Sequence, residues 1–220
     1  MLTRSRFLAS MFAAVVLAFA AAVAGAQNLS TAQLQTLKTA INANPAWSAY
    51  PMNSDGYFAL AKVLNATAVP AFKVWRTDAK TTLLIDSINL ANYTPNDAIA
   101  DSDSGDLLQR KNGRLLTAQT KQMNLQLMLQ GRETLNCSTA TVRANLRDAV
   151  ILLPTGAGGA NTSPGGASGA TTLTACTRSA TEAEKILAGA NETTGTVTAA
   201  VLGFEGALTV QDVEAARQLP

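Results

Sequence analysis

Hydrophobic patterning is densest between Gly113 and Pro154, the N-terminus apart, and it predicts two helices joined by a short polar connection. Wound at about 100° per residue, the first half of this stretch is apolar on two opposite sides. The residues of one side are Leu116, Met123 and Leu127, and those of the other are Leu115, Ala118, Leu125 and Leu129. A helix that is apolar on two sides is usually buried on two sides. The pattern therefore predicts a central helical hairpin packed within a core.

A strand is the competing prediction for the first half, because Leu125, Leu127 and Leu129 alternate with other side chains. The absence of β-branched residues after Thr120, and the abundance of Leu, Met and Gln, favour the helix. Gly131 can end this helix, since a residue without Cβ tolerates a positive φ. The second helix is expected to start at a Ser138 or Thr139 cap and to end before Pro154.

The same patterning predicts further elements on both sides of the hairpin. Helices are expected from Ser30 to Asn42, after Ser54 and Asp55, over Leu83–Leu90, over Thr171–Ala188 and after Thr209. Within Thr171–Ala188, Thr181 and Glu184 are spaced as a capping box that could mark a second helix start. Short strands are expected at Ala71–Arg76 and Val197–Val201, where apolar residues alternate with other side chains. The predicted fold class is mainly α (α+β at most), a compact helical domain with a central helical hairpin and one or two short strands.

The length of 220 residues and the 47% hydrophobic content allow one packed core, or at most two small ones. We expect a single mainly helical domain over residues 27–220. It would contain a Gly-rich loop at 154–169, whose composition is typical of a mobile surface segment. Such a loop could become ordered against a neighbouring subunit.

Residues 1–26 have the features of a secretory signal peptide. Arg4 and Arg6 precede an apolar run, and small residues precede Gln27. If this leader is used, the protein is exported to the periplasm or secreted. If it is retained as a hydrophobic leader, the protein stays in the cytoplasm. Contact with a membrane is expected only through this segment.

Two cysteines, Cys137 and Cys176, are present in the whole chain. In an exported protein they could form a disulfide, worth about 3 to 4 kcal/mol on the chain-entropy model. In a cytoplasmic protein they would stay as small buried thiols. The sequence leaves both alternatives open.

Composition removes several classes of chemistry. The chain contains no histidine, which excludes His-dependent general bases, Ser-His-Asp and Cys-His nucleophiles and imidazole metal ligation. The formal net charge of +2 comes from Arg4 and Arg6, because the remaining 15 basic residues match 15 acidic ones. A chain without a basic excess has no electrostatic basis for binding nucleic acid. No cofactor and no metal is expected.

The acidic turn at Asp101, Asp103 and Asp106 resembles a calcium loop in its alternating carboxylates. Its glycine falls at the fifth position rather than the sixth, and Asn112 stands where a bidentate glutamate is needed. A carboxylate hydrolase with a metal is one hypothesis for this turn. A solvated turn that caps a helix is the ordinary interpretation, because a second, converging catalytic group is missing.

Candidate contact residues are few. Trp75 is the best single candidate for an exposed binding aromatic, against the alternative that it belongs to the core of a half-buried strand. The glycines of the loop, Gly158, Gly159, Gly165 and Gly166, could also contact another subunit. No Lys-Ser or Lys-Thr follows them, so the phosphate-binding P-loop pattern is not met.

The mature chain resembles a group of uncharacterised proteins encoded by tailed bacteriophages and prophages. The matching phrases are LQTLKTAINANPAW, SDGYFALAKVLNATAVPAFKVWRT, KQMNLQLMLQGRETLN, VRANLRDAVILLPTGAGGA and FEGALTVQDV, which span Leu34 to Val213. The group has no assigned activity, and its members resemble cytoplasmic phage proteins that begin near the first helix. This chain departs from the group by its leader. If the leader is not used, the resemblance implies a protein of the host cytoplasm and the virion.

These observations support two expectations for function. The first is a non-enzymatic structural or assembly protein of a phage or prophage, which packs against protein subunits, its own or those of other virion proteins, as an oligomer or part of an assembly. The second is an exported periplasmic or extracellular binding or host-interaction module, motivated by the leader and the two cysteines.

Overall fold

The computed structural model describes residues 29–154 and 161–220 of the chain. The predicted leader, with Gly158 and Gly159, lies outside the described residues. The described chain separates into two compact units. The helical unit consists of the residues up to Ala66 together with Gly206–Pro220, and the sheet unit consists of Thr67–Glu205. The expectation of a single domain stays a prediction.

The bounds of the elements follow the chain. The helices are α1 (Thr31–Ala43), α2 (Pro45–Ser48), α3 (Ser54–Leu64), α4 (Thr81–Asp86), α5 (Gly105–Leu129), α6 (Ala140–Ala149), α7 (Ala170–Ala175), α8 (Glu182–Ile186) and α9 (Val210–Gln218), with 3-10 turns at Leu90–Tyr93 and Ala167–Gly169. The strands are β1 (Lys73–Trp75), β2 (Ala79–Lys80), β3 (Thr134–Leu135), β4 (Thr177–Ser179), β5 (Asn191–Thr194) and β6 (Val197–Ala200).

Local capping chemistry starts several of these helices. The Ser30 hydroxyl accepts from the backbone N–H of Gln33, whose side chain accepts in return from the backbone of Ser30, so the predicted start of α1 is confirmed. Reciprocal capping boxes also start α8 at Thr181 and α9 at Thr209. The cap of α3 is Asn53 rather than the predicted Ser54 or Asp55.

Within the helical unit, α9 packs against α1 and α3. The residues buried in this unit include Leu34, Leu37, Ile41, Leu60, Leu64 and Val213. Polar contacts hold the C-terminal segment in place: Lys38 Nζ donates to the carbonyl oxygens of Leu219 and Pro220 at 2.7 and 2.9 Å. Arg217 donates to the carbonyl of Tyr50 at 2.8 Å. These long-range bonds join the two ends of the described chain into one unit.

The sheet unit is built on a mixed four-stranded sheet in the order β4-β1-β6-β5. Strand β1 pairs antiparallel with β4 and parallel with β6, and β5 and β6 form an antiparallel hairpin. Strands β2 and β3 pair separately. The prediction of a mainly helical domain with one or two strands is therefore wrong, and the chain is an α+β mixture.

The missed strands explain this error. Strands β4 and β5 read Thr-Arg-Ser and Asn-Glu-Thr-Thr, without the apolar alternation that identifies a half-buried strand. Their pairing with β1 and β6 comes from long-range contacts that the sequence pattern does not show. The helix predicted over Thr171–Ala188 is for the same reason two short helices with β4 between them.

The central hairpin exists, as α5 and α6 packed against each other. Its first helix begins at Gly105, earlier than the apolar pattern indicated, because Leu107 and Leu108 are the only apolar side chains among the polar and charged residues of its first two turns. Gly131 takes a φ of 69° just after the helix, the conformation expected of a glycine stop. Strand β3 occupies part of the connection that was predicted to be only polar.

Candidate functional site

The structure places Trp75 in the core, which confirms the alternative that it is a core residue and rules it out as an exposed binding aromatic. Its side chain has no exposed area, and its indole N–H donates to the carbonyl of Glu192 at 3.3 Å. Val74 and Trp75 follow one another on β1, so their side chains point to opposite faces of the sheet. Both are buried because each face is covered: Trp75 belongs to one core cluster and Val74 to another. A strand covered on both faces does not keep the exposed face that its alternation suggested.

Two of the four candidate glycines of the loop, Gly165 and Gly166, lie among the described residues. Gly165 is buried, and its backbone N–H donates to the carbonyl of Val150 at 3.1 Å. A Cβ at Gly165 would lie 2.7 Å from a methyl of Val150, so this glycine permits close packing within its own chain. Gly166 is partly buried with a φ of 81°. The described part of the loop, residues 161–169, is thus packed within the sheet unit. Gly165 is covered there and does not offer a contact to another subunit.

Arg143 forms a buried polar centre that the sequence pattern did not identify. Its guanidinium carbon lies 4.5 Å from the centre of the Trp75 ring, and its side chain is 1% exposed. The guanidinium donates to the carbonyl oxygens of Cys137 and Ser138 at 2.8 and 2.7 Å. It also donates to Thr194 Oγ1 at 3.1 Å and forms an ion pair with the Glu192 carboxylate.

These contacts join α6 to β1, to β5 and to the segment just before the helix. An arginine with a stacked aromatic face and several acceptors is held in one geometry. All three guanidinium nitrogens of Arg143 donate within the chain, so this centre is structural rather than a site for an anion. A signal was present in the sequence: Arg143 precedes Leu146 by three residues and Val150 by seven, which places it on the apolar side of its helix.

Cys137 and Cys176 form a disulfide in the structure, across 39 positions of sequence. Both residues are buried in the same core cluster as Trp75. The bridge joins the segment before α6 to the end of α7, and it lies beside Arg143 through the Cys137 carbonyl. The disulfide therefore lies in the same buried part of the core as the Arg143 centre.

The acidic turn precedes α5 and is tied to it through Lys111, although Ser104 at the N-cap makes no side-chain cap bond. Asp103 accepts from the backbone N–H of Ala100 and from Lys111 Nζ, both at 2.7 Å. The bond from Ala100, followed by that from Lys111, holds the pKa of the Asp103 carboxyl below its usual value. Within the described part of the chain, no three acidic or cysteine side chains come together as a metal site.

The solvent side of α5 has an unusual composition. From Asn112 to Gln130, every exposed residue of this helix and its cap is uncharged. We call these residues the outer face: Asn112, Gly113, Leu116, Thr117, Gln119, Thr120, Met123, Asn124, Gln126, Leu127 and Gln130. Leu116, Met123 and Leu127 are 65%, 55% and 64% exposed. The expectation that both apolar sides of this helix are buried within the chain is therefore wrong.

The charged residues of the same stretch turn away from the outer face. Lys121 is largely covered and donates to the carbonyls of Asp148 and Ile151, at 2.7 and 3.0 Å. Arg114 forms an ion pair with Asp97. A helix face that meets only water normally carries charge. Here the charges serve contacts inside the sheet unit, and the exposed side is left apolar and amide-rich.

A groove runs beside the outer face. It has a volume of about 510 Å³, and its lining includes Ile85 and Leu90, together with Leu125, Gln126, Leu129 and Gln130 of the helix and its cap. Ile85 and Leu90 are 43% and 51% exposed. The residues that line this groove carry no charge, so the outer face and the groove form one continuous uncharged surface. A surface of this kind can bind protein by apolar burial but offers no catalytic group.

Comparison with known protein families, with curated proteins and with solved structures finds no match to this chain. Across residues 29–154 and 161–220, no helix combines the length and apolar character that crossing a membrane requires.

Proposed function

We propose that this protein is a non-enzymatic structural or assembly protein of a tailed bacteriophage or prophage, acting through subunit packing. The observation that carries the proposal is the uncharged, apolar outer face of α5. The resemblance of the chain to phage-encoded proteins supports the choice of setting.

The energetics support a binding role for this face. Burial of a large apolar side chain contributes about 1.5 to 3 kcal/mol relative to full exposure. Leu116, Met123 and Leu127 each keep more than half of their area in water. Together they could contribute about 3 kcal/mol or more when a partner covers them. The adjoining glutamines and asparagines can donate and accept hydrogen bonds at the rim of such a contact.

The test compares the protein with Leu127→Glu in its native producer. Purified particles and the soluble fraction are separated by sedimentation, and the protein is detected in each fraction. We expect the wild type in particles or in a large complex, and Leu127→Glu in the light fraction, because a charge on the outer face opposes burial.

Phe58→Glu is the matched control, since Phe58 is also 64% exposed on a helix but belongs to the helical unit. It should sediment as the wild type does. A wild-type protein that is monomeric and absent from particles would contradict the proposed function.

The alternative is an exported periplasmic or extracellular binding or host-interaction module. The Cys137–Cys176 disulfide favours it, because disulfides persist in oxidising compartments and are rare in the cytoplasm. Alkylation of protein from the native producer before any reduction, followed by intact-mass measurement, tests this alternative. A bridged chain beginning at Gln27 would support export, and two alkylated thiols would remove the observation on which it rests.

A further inference from the structure

We infer that the outer face of α5 binds the same face of a second copy of this chain, with the two helices antiparallel about a two-fold axis. This inference rests on the proposed function, because it names the partner of the same surface. It is argued from the symmetry of the apolar residues, from the charges at the two ends of the helix and from the area that a stable contact needs.

Four exposed residues form a seam along the outer face. Leu116, Thr120, Met123 and Leu127 follow one another at intervals of four, three and four residues. This is the alternation with which one helix packs along another in a left-handed pair. The seam spans about 17 Å at 1.5 Å per residue.

The seam is symmetric about its own midpoint. Leu116 and Leu127 lie equally far from the point between Lys121 and Gln122, and so do Thr120 and Met123. A two-fold axis through this point would place Leu116 of each copy against Leu127 of the other. It would likewise place Thr120 against Met123. A two-fold contact requires such a self-complementary surface.

The charges at the two ends distinguish antiparallel from parallel pairing. The N-terminal end of α5 has exposed Asp106 and Arg110, and exposed Arg132 and Glu133 follow its C-terminal end. In a parallel pair, each of these charges would lie beside its own counterpart in the other copy. In an antiparallel pair, each end meets the other end, and Arg110 of each copy lies level with Glu133 of the other, since the two residues are equally far from the midpoint. Opposed helix dipoles add to this preference.

The area indicates that the contact extends beyond the helix. The outer face, about 28 Å long and about 10 Å wide, covers about 300 Å² per copy. A standard stable interface buries about 800 Å² per partner. The groove beside the outer face supplies further surface without charge through Ile85 and Leu90. We therefore expect both side chains to be covered in the dimer, which should be of moderate affinity.

The first experiment measures molar mass by size-exclusion chromatography with light scattering, over a wide range of concentrations of the full chain. We expect a monomer–dimer equilibrium for the wild type. Leu127→Glu should weaken it on the order of 100-fold, because a two-fold interface contains the substitution twice. Phe58→Glu should leave it unchanged. Circular dichroism of each variant checks that the fold is retained.

The second experiment tests the direction of pairing by cross-linking. Leu116→Cys and Leu127→Cys chains are prepared separately, mixed and treated with a short thiol cross-linker. Their native cysteines do not interfere, since both are buried in the disulfide. We expect cross-links mainly between the two different variants. Cross-links mainly between identical variants would indicate parallel pairing and would overturn the inference.

The results separate this inference from the proposed function. A wild type that stays monomeric at every concentration overturns self-pairing. If the Leu127→Glu variant is nevertheless lost from the particle fraction of the native producer, the proposed function stands. The outer face then binds a different protein. Conversely, an antiparallel dimer in vitro from a protein absent from every assembly would retain self-pairing and contradict the proposed function.

Discussion

Arg143 and Leu127 lie on the two packed helices of the central hairpin, but their surroundings are opposite in kind. Arg143 is 1% exposed and meets an aromatic ring, two carbonyls, a hydroxyl and a carboxylate of its own chain. Leu127 is 64% exposed, in a face without charge. Arg143 is a charged residue in the core, and its partners lie within the same chain. Leu127 is an apolar residue on the surface, and no apolar group of the described chain covers it.

This difference separates what holds the chain together from what it offers to others. A buried arginine is tolerated only where its donors are satisfied, and its neighbours are then fixed in one arrangement. Exposed leucines on a face without charged residues contribute little to the stability of the single chain. Changes in the covered region, which comprises the Arg143 centre, the disulfide and the core around them, should therefore alter the free energy of unfolding. Changes on the outer face should alter association.

The largest expected effect on stability comes from the disulfide. Replacing both cysteines, Cys137→Ala with Cys176→Ala, should lower the free energy of unfolding by about 4 kcal/mol, since the bridge closes a loop of 39 positions. Urea unfolding in the absence of reductant measures the difference. Added reductant should lower the midpoint of the wild type but not that of the double variant. Equal midpoints for the two proteins without reductant would contradict this prediction.

The next effect is that of Arg143→Ala, which should cost about 3 kcal/mol because it leaves buried carbonyls and the Trp75 ring without their partner. The measurement is urea unfolding followed by tryptophan fluorescence. Trp47 and Trp75 are the two tryptophans of the chain, so in a Trp47→Phe background the fluorescence reports on Trp75 alone. Arg147→Ala is the control, one turn along the same helix and only partly buried. An equal decrease in the free energy of unfolding from the two substitutions would show that the contacts of Arg143 add no particular stability.

Tyr93 gives the covered region a dependence on alkaline pH. Its hydroxyl donates to the carbonyl of Ala149 at 2.7 Å, and burial raises the pKa of Tyr93 to about 12 from 10.0. The unfolded chain therefore releases this proton at lower pH than the folded chain does. The stability from the neutral tyrosine is complete below about pH 10 and falls by about 3 kcal/mol as pH rises through 12.

Urea unfolding at a series of alkaline pH values measures this loss. In Tyr93→Phe the part of the decline that belongs to the phenol should disappear, and the variant should be less stable by about 1 kcal/mol near neutral pH, for the lost hydrogen bond. An absorbance titration at 295 nm should lose its latest step in the same variant. A decline that is equal in both proteins would assign the effect to other groups.

Local signals in the sequence predicted some features of the fold and missed others. The Ser30 and Thr181 caps were identified because their partners lie three residues away. Strand β5 was missed because its polar residues are recognised only by their pairing with β6. The α5–α6 hairpin was predicted, although the single-chain structure covers one apolar side of α5 and not the other.

The site residues follow the same division. The sequence left Trp75 between an exposed aromatic and a core residue, because the alternation of its strand does not show that both faces of the sheet are covered. Arg143 was overlooked because a charged side chain is ordinarily taken for a surface residue, although its spacing from Leu146 placed it on the buried side. The outer face was visible as the second apolar side of α5. Its exposure could not be predicted, because it depends on which elements pack against that helix.

The smallest expected effect on stability is that of Leu127→Glu in the monomer. The side chain makes few contacts that a glutamate would lose, so the free energy of unfolding should change by no more than about 0.5 kcal/mol. Urea unfolding at a concentration too low for association, compared with Leu129→Ala on the buried side of the same helix, checks this. Leu129→Ala should cost about 2 to 5 kcal/mol, because it leaves a cavity under α5. A large loss for Leu127→Glu would mean that the outer face already stabilises the single chain, and the contrast with Arg143 would fail. A small loss, together with weakened association, would mean that this face contributes its stabilisation only when a second chain covers it.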